Sequence, residues 1–264
     1  MKYSETFLVG GEASKVILRS YKHKKVVVKT SEYGDVRKEA AALKLLAKNG
    51  IAVPRVRSVR NKAIFMDYIP GTNPQGSNIS KATLLRNIAA AFNKLHTVRS
   101  NHLGELSKPL KNTSQNWIKF MHKRMKKGLQ AMHALGFLNM KELKELERRA
   151  KELSDLGIRA FKPAIIHADL HLDNIRVTPE GEVFFLDFEG PFWGDELYDL
   201  APFKYFHPKL YTKFRKAYSR HRFSHEKEAM CWYTFLHAID IGAFDASIGK
   251  KKGVARALRI ARSA

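Results

Sequence analysis

The hydrophobic pattern of this chain changes its period once, and that change limits the folds that the chain can adopt. Over residues 1–70, β-branched runs such as SKVILRS and KKVVVKT are separated by glycine or short polar clusters, which predicts consecutive strands joined by turns. The segment Pro70–Asn78 is rich in Pro, Gly and Asn and is the predicted linker. Beyond it, apolar residues recur every three or four positions, which predicts amphipathic helices. We therefore expect an α+β chain with a small β-rich lobe over 1–70, a larger mainly helical lobe over 71–264, and a cleft between the lobes.

Capping residues indicate where several helices begin and end. Asp35 and Gly50 bracket the run VRKEAAALKLLAKN, so one helix is expected within the β-rich lobe. Ser80 stands directly before an apolar stripe and is the predicted start of the first helix beyond the linker. Asn139 and Glu142 have the spacing of a capping box, which predicts the start of a further helix.

A polar segment between two apolar runs carries the strongest functional signal. In IIHADLHLDNIRV, residues 165–177, aspartate and asparagine residues interrupt a region that otherwise favours strands. Asp169 precedes Asn174 by five positions, and Asp187 follows at the end of the run EVFFLDF. The pattern D-x-x-x-x-N followed by D-F is typical of kinase-type phosphoryl transfer.

The chemistry of phosphoryl transfer explains these residue types. An attacking hydroxyl needs a group that accepts its proton and orients it, and the Asp169 carboxylate is the candidate. Magnesium prefers oxygen ligands, which the Asn174 amide and the Asp187 carboxylate can supply. His167 is interpreted as a structural residue that braces the loop, whereas His171 either faces substrate or is solvated, and the residues leave that choice open.

The distribution of charge supports a cation site in the same region. The chain has 48 basic and 25 acidic side chains and a formal net charge of +23. Residues 151–200 nevertheless carry 11 acidic and only 4 basic side chains. Acidic groups gathered in a basic chain are expected where a divalent metal is held, and the alternative is a solvated acidic face.

These motifs resemble those of the aminoglycoside phosphotransferase and choline kinase superfamily, and the resemblance spans most of the chain. It implies a two-lobed protein-kinase-like fold in which residues 1–70 bind ATP and residues 71–264 carry the catalytic and substrate groups. Asp169 then corresponds to the catalytic base, and Asn174 and Asp187 correspond to the metal ligands. The expected nucleotide-binding residues are Gly10, Gly11 and Ser14 in GGEASKVI, Lys29 and its partner Glu39, and Met66, Asp67 and Tyr68 in the hinge FMDYIPG. Asp195 and Asp199 match a family stretch for which loop support is expected.

Some of these residues have simpler interpretations, and one motif departs from the protein-kinase pattern. Lys29 also fits an edge-strand lysine, and the pair Gly10 and Gly11 also fits a plain hairpin. The metal motif reads Asp-Phe-Glu rather than Asp-Phe-Gly, and no Ala-Pro-Glu segment follows it. We therefore expect no regulation by activation-loop phosphorylation and do not favour a protein substrate.

The favoured function is an ATP- and magnesium-dependent phosphotransferase that acts on a hydroxyl of a small molecule, sugar-like or another metabolite. A polycationic aminoglycoside is disfavoured because the charge of +23 repels it. The alternative is a kinase of an anionic macromolecule, namely RNA, a glycolipid such as lipopolysaccharide, or a protein, bound through the basic runs at 119–127 and 250–262. A nucleotide-binding module without catalysis is less favoured, because the predicted catalytic set is complete.

The sequence also predicts where the protein works. The N-terminal run MKYSETFLVGG lacks the apolar core of a signal peptide, and no run reaches the roughly 18 apolar residues of a membrane span. The single cysteine, Cys231, excludes an intramolecular disulfide. We therefore expect a soluble cytoplasmic protein, and the sequence does not predict its oligomeric state.

Overall fold

The computed structural model describes residues 3–8, 14–31, 35–157, 160–218 and 225–264. The chain divides into two compact units. The first unit comprises residues 1–98, 169–191 and 213–219, and the second comprises residues 99–168, 192–212 and 220–264. The first unit therefore includes residues on both sides of the lobe boundary predicted at residue 70, and that division into lobes stays a prediction.

The described part of the chain forms short strands and mostly longer helices. The strands are β1 (Ser4–Leu8), β2 (Ser14–Ser20), β3 (Lys25–Ser31), β4 (Val56–Arg60), β5 (Ala63–Asp67), β6 (His102–Glu105), β7 (Leu110–Lys111), β8 (Ala164–Ile166), β9 (Ile175–Val177), β10 (Val183–Phe185) and β11 (Phe192–Gly194). The α-helices are α1 (Val36–Lys48), α2 (Lys81–Leu95), α3 (Ser114–Ala134), α4 (Met140–Gly157), α5 (Leu200–Phe206), α6 (Pro208–Ala217), α7 (Glu226–Ser247) and α8 (Lys251–Ser263). Short 3-10 helices span Pro74–Gly76, Leu172–Asn174 and Glu196–Asp199.

The first unit is built on a five-stranded antiparallel sheet in the order β1-β2-β3-β5-β4. Strand β3 lies between β2 and β5, a central position that its β-branched residues favour, and its Val26 and Val28 side chains are buried. Helix α1 packs on β4 and β5 through its apolar stripe. It begins where Asp35 accepts a hydrogen bond from the Arg37 amide, as the capping signal predicts.

The hairpin β9–β10 completes the part of the first unit that contains the polar segment. Its strands pair antiparallel, and α2 packs against β10. The side chains of β9 alternate, because Ile175 and Val177 are buried whereas Arg176 between them is half-buried. Helix α2 begins at Ser80, whose side chain accepts a hydrogen bond from the Thr83 amide, as predicted.

The second unit combines helices with a small antiparallel sheet in the order β7-β6-β11-β8. Its core lies where α7 packs against α3, α4, α5 and α8. Small residues allow this close packing, since a Cβ added at Gly128 of α3 would lie 3.0 Å from the Ile239 side chain of α7. Asn139 and Glu142 form the predicted capping box through reciprocal hydrogen bonds of 3.0 and 2.9 Å.

The helices of the described ranges include none that is long and apolar enough to cross a bilayer. The longest, α7, has 22 residues, and charged side chains interrupt its sequence EKEAMCWYTFLHAIDIGAFDAS.

Candidate active site

A buried lysine in β3 organises the candidate site of the first unit. Strand β3 places Lys29 opposite Val16 of β2 and Ile64 of β5, and only 4% of its side chain is exposed. Helix α1 brings Glu39 to the same point, where its carboxylate lies 3.0 Å from the Lys29 ammonium. The predicted contact between Lys29 and Glu39 is therefore present.

Two further carboxylates contact the same ammonium. Asp187 Oδ1 lies 2.5 Å from Lys29 Nζ, and Glu189 Oε1 lies 3.0 Å from it. Burial alone would lower the pKa of Lys29, but the three carboxylates outweigh burial and raise that pKa above its ordinary value. Burial raises the pKa of the Glu39 carboxyl to about 7, against the opposing effect of Lys29. The ammonium thus stays charged, and the cluster holds more acidic groups than it can neutralise.

The motif Asp-Phe-Glu supplies two of the three carboxylates in this cluster, those of Asp187 and Glu189. Asp187 adopts a left-handed backbone conformation with φ of 64°, which is uncommon for residues other than glycine but tolerated by aspartate. The Glu189 carboxylate also accepts a hydrogen bond from the Ser14 hydroxyl at the start of β2. Glu189 therefore bridges β2 and the lysine of β3. The sequence signal for this contact was the replacement of the usual glycine by glutamate, but its role was not predicted.

The polar segment folds as a compact loop around Asn174. The Asn174 amide nitrogen donates to the Asp169 carbonyl at 2.7 Å and to the Asp169 carboxylate at 3.2 Å. The Leu186 amide donates to the Asn174 carbonyl at 2.9 Å, so Asp187 directly follows a residue that is tied to this loop. The Asp169 side chain is 54% exposed, which leaves its carboxylate accessible to a substrate.

His171 lies within this loop, with the carboxylates of Asp169 and Asp173 near its two ring nitrogens. Its Nδ1 accepts a hydrogen bond from the Asp173 amide and caps the 3-10 helix Leu172–Asn174. Its Nε2 lies 3.6 Å from Asp169 Oδ2. Burial opposes protonation, but the hydrogen bond and charge of Asp169 prevail and raise the pKa of His171.

In the second unit, Asp199 holds the backbone that directly precedes Asp169. Its two carboxylate oxygens accept hydrogen bonds from the amides of His167 at 2.9 Å and Ala168 at 2.8 Å. Ala168 has a left-handed φ of 75°, a conformation that costs about 1–2 kcal/mol for a residue with a Cβ. Asp199 is fully buried, so these bonds form away from water and stabilise the strained turn. This contact matches the loop support expected for Asp199.

A cleft within the first unit joins these groups to an apolar wall. Met66, Asp67 and Tyr68, the expected hinge residues, line it, and Gly10 and Gly11 lie outside the described residues. The full lining comprises Val16, Val27, Lys29, Glu39, Leu43, Pro54, Met66, Asp67, Tyr68, Ile69, Asp173, Asn174, Arg176, Leu186 and Asp187. The cleft therefore has apolar side chains beside the hinge and charged groups around Lys29. The presence of Arg176 in this lining was not expected from the sequence.

The donor atoms near Lys29 fit a divalent cation. The Asn174 amide nitrogen is engaged with Asp169, which leaves the amide oxygen of Asn174 without a hydrogen bond among the described residues. Asp187 Oδ2 likewise accepts no hydrogen bond from them, because the hydrogen bond from Lys29 goes to Oδ1. Carboxylate oxygens of Glu39, Asp187 and Glu189 lie within 4.8 Å of one another. Oxygen ligands and excess negative charge are what Mg²⁺ requires.

Several solved structures share this fold at low sequence identity. One is described as a candidate fructosamine-3-kinase from Haemophilus somnus 129PT, with 21% identity, a TM-score of 0.76 and coverage of 98% of this chain and 90% of that chain. A second, described as a candidate fructosamine-3-kinase from Thermobifida fusca YX-ER1, has 17% identity, a TM-score of 0.76 and coverage of 100% and 94%. The third is a thermostable mutant of aminoglycoside phosphotransferase APH(4)-Ia in a ternary complex with AMP-PNP and hygromycin B. It has 14% identity, a TM-score of 0.76 and coverage of 99% and 93%.

These likenesses confirm the predicted fold class, with a β-rich N-terminal part and a mainly helical C-terminal part of kinase type. A search of curated proteins finds no significant match to this chain. The profile described as the phosphotransferase enzyme family (APH) matches residues 3–233, which is most of the sequence. The chain therefore belongs to the phosphotransferase enzyme family, as its motifs predicted.

Proposed function

We propose that the protein is an ATP- and magnesium-dependent phosphotransferase that moves the γ-phosphate to a hydroxyl group of a small molecule. The main support is the arrangement of Asp169, Asn174, Asp187 and Lys29 within one unit, in contact with or lining one cleft. A non-catalytic nucleotide-binding module would not require an accessible carboxylate beside such a set. Related structures in complex with AMP-PNP or ADP support a nucleotide in the same family fold.

In this proposal the nucleotide lies in the cleft of the first unit. Met66, Asp67 and Tyr68 adjoin the base, and the Lys29 ammonium binds phosphate oxygens. Ser14 at the start of β2 would bind the phosphates, and the same role is proposed for Gly10 and Gly11, which lie outside the described residues. Asn174 and Asp187 would hold Mg²⁺, which neutralises charge on the phosphate oxygens when it is bound.

Asp169 acts on the acceptor. Its carboxylate accepts the proton of the attacking hydroxyl and orients that hydroxyl toward the γ-phosphorus. The hydrogen bond from the Asn174 amide fixes the direction of the carboxylate, and Asp199 fixes the preceding backbone. The products are the phosphorylated acceptor and ADP.

The acceptor is proposed to be a neutral or anionic hydroxyl compound, sugar-like in the first instance. Similar structures are described as candidate fructosamine-3-kinases or as a complex with hygromycin B, which supports a small-molecule acceptor. A net charge of +23 opposes a polycationic acceptor at long range, although salt screens this effect beyond about 8 Å. An RNA, lipid or protein acceptor bound through basic side chains is the alternative.

Transfer of γ-labelled phosphate from ATP into a fractionated cell extract tests this proposal. We expect label in the small-metabolite fraction, dependent on Mg²⁺. Asp169→Asn should lower transfer by about 10²–10⁴-fold, the usual contribution of a general base, while ADP affinity stays nearly unchanged. Asp187→Ala should weaken binding of the magnesium–nucleotide complex itself.

Asp35→Asn provides the matched control, because it removes a carboxylate from the same unit but keeps a good helix cap. Substantial transfer by Asp169→Asn would remove that residue from the base role. Label in the RNA, lipid or protein fraction would replace the small-molecule acceptor by the macromolecular alternative. A protein that binds ADP but labels no fraction would support the non-catalytic module.

A further inference from the structure

The cleft of the first unit contains a second cation, Arg176, which the catalytic scheme does not use. In β9 the side chains alternate, so Ile175 and Val177 point into the core with 1% and 2% exposure. Arg176 takes the opposite direction and lines the cleft, as does Asn174, which directly precedes the strand. The register of the strand therefore directs an arginine into the cleft beside a predicted metal ligand.

The guanidinium of Arg176 is held at a defined point by the segment that follows the hinge. Arg176 Nη1 donates to the Gly71 carbonyl at 2.8 Å. Thr72 and Val177 exchange two backbone hydrogen bonds of 3.0 and 2.8 Å, which fasten this segment to β9. Gly71 has a φ of 133°, and a Cβ added there would lie 2.1 Å from the Val177 carbonyl oxygen. The close approach that positions the guanidinium thus depends on glycine at this position.

Arg176 differs from the other charged residues of the cleft in its partners. Lys29 contacts three carboxylates, and the Asp67 carboxylate forms two hydrogen bonds with Arg57. Across the part of the chain that the structure describes, the only polar partner of Arg176 is the neutral Gly71 carbonyl. A guanidinium has five N–H donors and no acceptor, so most of its donors are available to a ligand.

The register of the sheet indicates that Arg176 and Lys29 lie apart along the cleft. Lys29 is opposite Ile64 in the sheet, whereas the Arg176 guanidinium reaches Gly71, beyond the end of β5 at Asp67. The β5 backbone from Ile64 to Asp67 alone spans about 10 Å at roughly 3.3 Å per residue. If Lys29 binds the phosphates, a nucleotide of ordinary length brings its ribose and base, and not its phosphates, to Arg176.

We propose that Arg176 is a nucleotide-specificity residue that binds the nucleoside part of the nucleotide. This inference rests on the proposed function and deepens it. The planar guanidinium stacks on the purine face or donates to acceptor atoms of the ribose and base, while Val16, Val27 and Met66 supply apolar surface. Arg176 contributes the same binding free energy in the ground state and in the transition state, because it touches no reacting atom.

The test compares Arg176→Leu with the unchanged protein in binding ADP and inorganic tripolyphosphate, both with magnesium. We expect Arg176→Leu to weaken ADP binding about tenfold, as loss of a partly desolvated cation–π or donor contact does. Tripolyphosphate affinity should stay the same, because this probe engages only the Lys29 end. The KM for ATP should rise about tenfold with kcat unchanged, which is the signature of uniform binding.

Arg60→Leu is the matched control, because it removes the same charge from an exposed position at the end of β4. Neither affinity should change in that variant. Arg176→Gln keeps a donor for the Gly71 carbonyl and gives the same measurement if the leucine variant does not fold.

Two results would overturn the role of Arg176 but leave the proposed function standing. The first is equal ADP affinity in Arg176→Leu and the unchanged protein, and the second is an equal loss of affinity for ADP and for tripolyphosphate in Arg176→Leu. The second result would mean general charge attraction. An unchanged protein that binds no ADP would instead overturn the proposed function, and with it this inference.

Discussion

Buried carboxylates occur in both units of the molecule, but their partners differ in kind. In the first unit, Glu39 meets the Lys29 ammonium, which two more carboxylates also contact. In the second unit, Asp199 meets two backbone amides, and Asp195 accepts hydrogen bonds from the Leu197 amide and the Tyr233 hydroxyl. The first arrangement shares one cation among three acids, whereas the second gives each oxygen a fixed donor.

This difference separates a binding arrangement from a structural one. Fixed donors such as backbone amides satisfy a carboxylate permanently and hold the surrounding chain in one conformation. An excess of acidic groups around one ammonium leaves negative charge that a further cation can neutralise. We therefore expect substitutions around Lys29 to alter chemistry and ligand binding most, and substitutions of Asp199 to act through the geometry of the loop.

The largest effect is expected for Lys29→Met. Transfer should fall by more than about 100-fold, because a preorganised cation at the phosphates is lost. Stability should fall by about 3 kcal/mol, because the buried Glu39 carboxylate loses its partner. Chemical denaturation and the transfer assay measure the two effects separately.

The variant Lys29→Met with Glu39→Leu sharpens this prediction. Stability should recover, since a buried ion pair can be replaced by apolar groups at little cost. Transfer should not recover, because the phosphate contact is still missing. Recovery of both would mean that Lys29 and Glu39 form only a structural pair.

A smaller effect is expected for Asp199→Asn. The asparagine oxygen can accept from only one of the two amides of His167 and Ala168, and its NH2 group faces the other donor. Stability should fall by about 2 kcal/mol, and kcat should fall about 100-fold through displacement of Asp169. ADP affinity should be unchanged, which calorimetry can measure. A loss of ADP affinity as large as the loss of kcat would contradict a role confined to the loop.

The smallest effect is expected for Ala168→Gly. Glycine adopts a φ of 75° without the steric cost of a Cβ, but it loses more entropy on folding. The free energy of unfolding should rise by about 0.5 kcal/mol, which thermal unfolding can measure, and phosphate transfer should be unchanged. Ala90→Gly, at an exposed position within α2, is the matched control, and its free energy of unfolding should fall by about 1 kcal/mol. A similar loss in both variants would show that the turn at Ala168 is not strained.

The sequence predicted those features that local patterns determine. Caps at Asp35 and Ser80 follow from side chains that bond to amides two or three residues away. The spacing of Asp169, Asn174 and Asp187 predicted a common loop region, because polar residues that end strands collect at the edge of a hairpin. The roles of these three residues stay predictions until variants are measured.

Contacts between distant segments were beyond the reach of local patterns. The bond from Ser14 to Glu189 joins residues 175 positions apart, and no periodicity encodes such a pair. Arg176 was missed because three residues of β9 are too few to show alternation. The strands β6, β7 and β11 have four residues or fewer, and they pair only through the surrounding fold.

The hydrogen bonds of Asp199 also bear on when the protein becomes active as its chain folds. They join residues 31 and 32 positions apart, so the turn before Asp169 is stabilised only after the intervening chain has brought Asp199 into place. Under the proposed function, a newly synthesised chain that has formed the five-stranded sheet but not this contact would bind ATP without transferring its phosphate. On the same proposal, we expect the appearance of phosphate transfer during refolding to report formation of the Asp199 contacts rather than collapse alone.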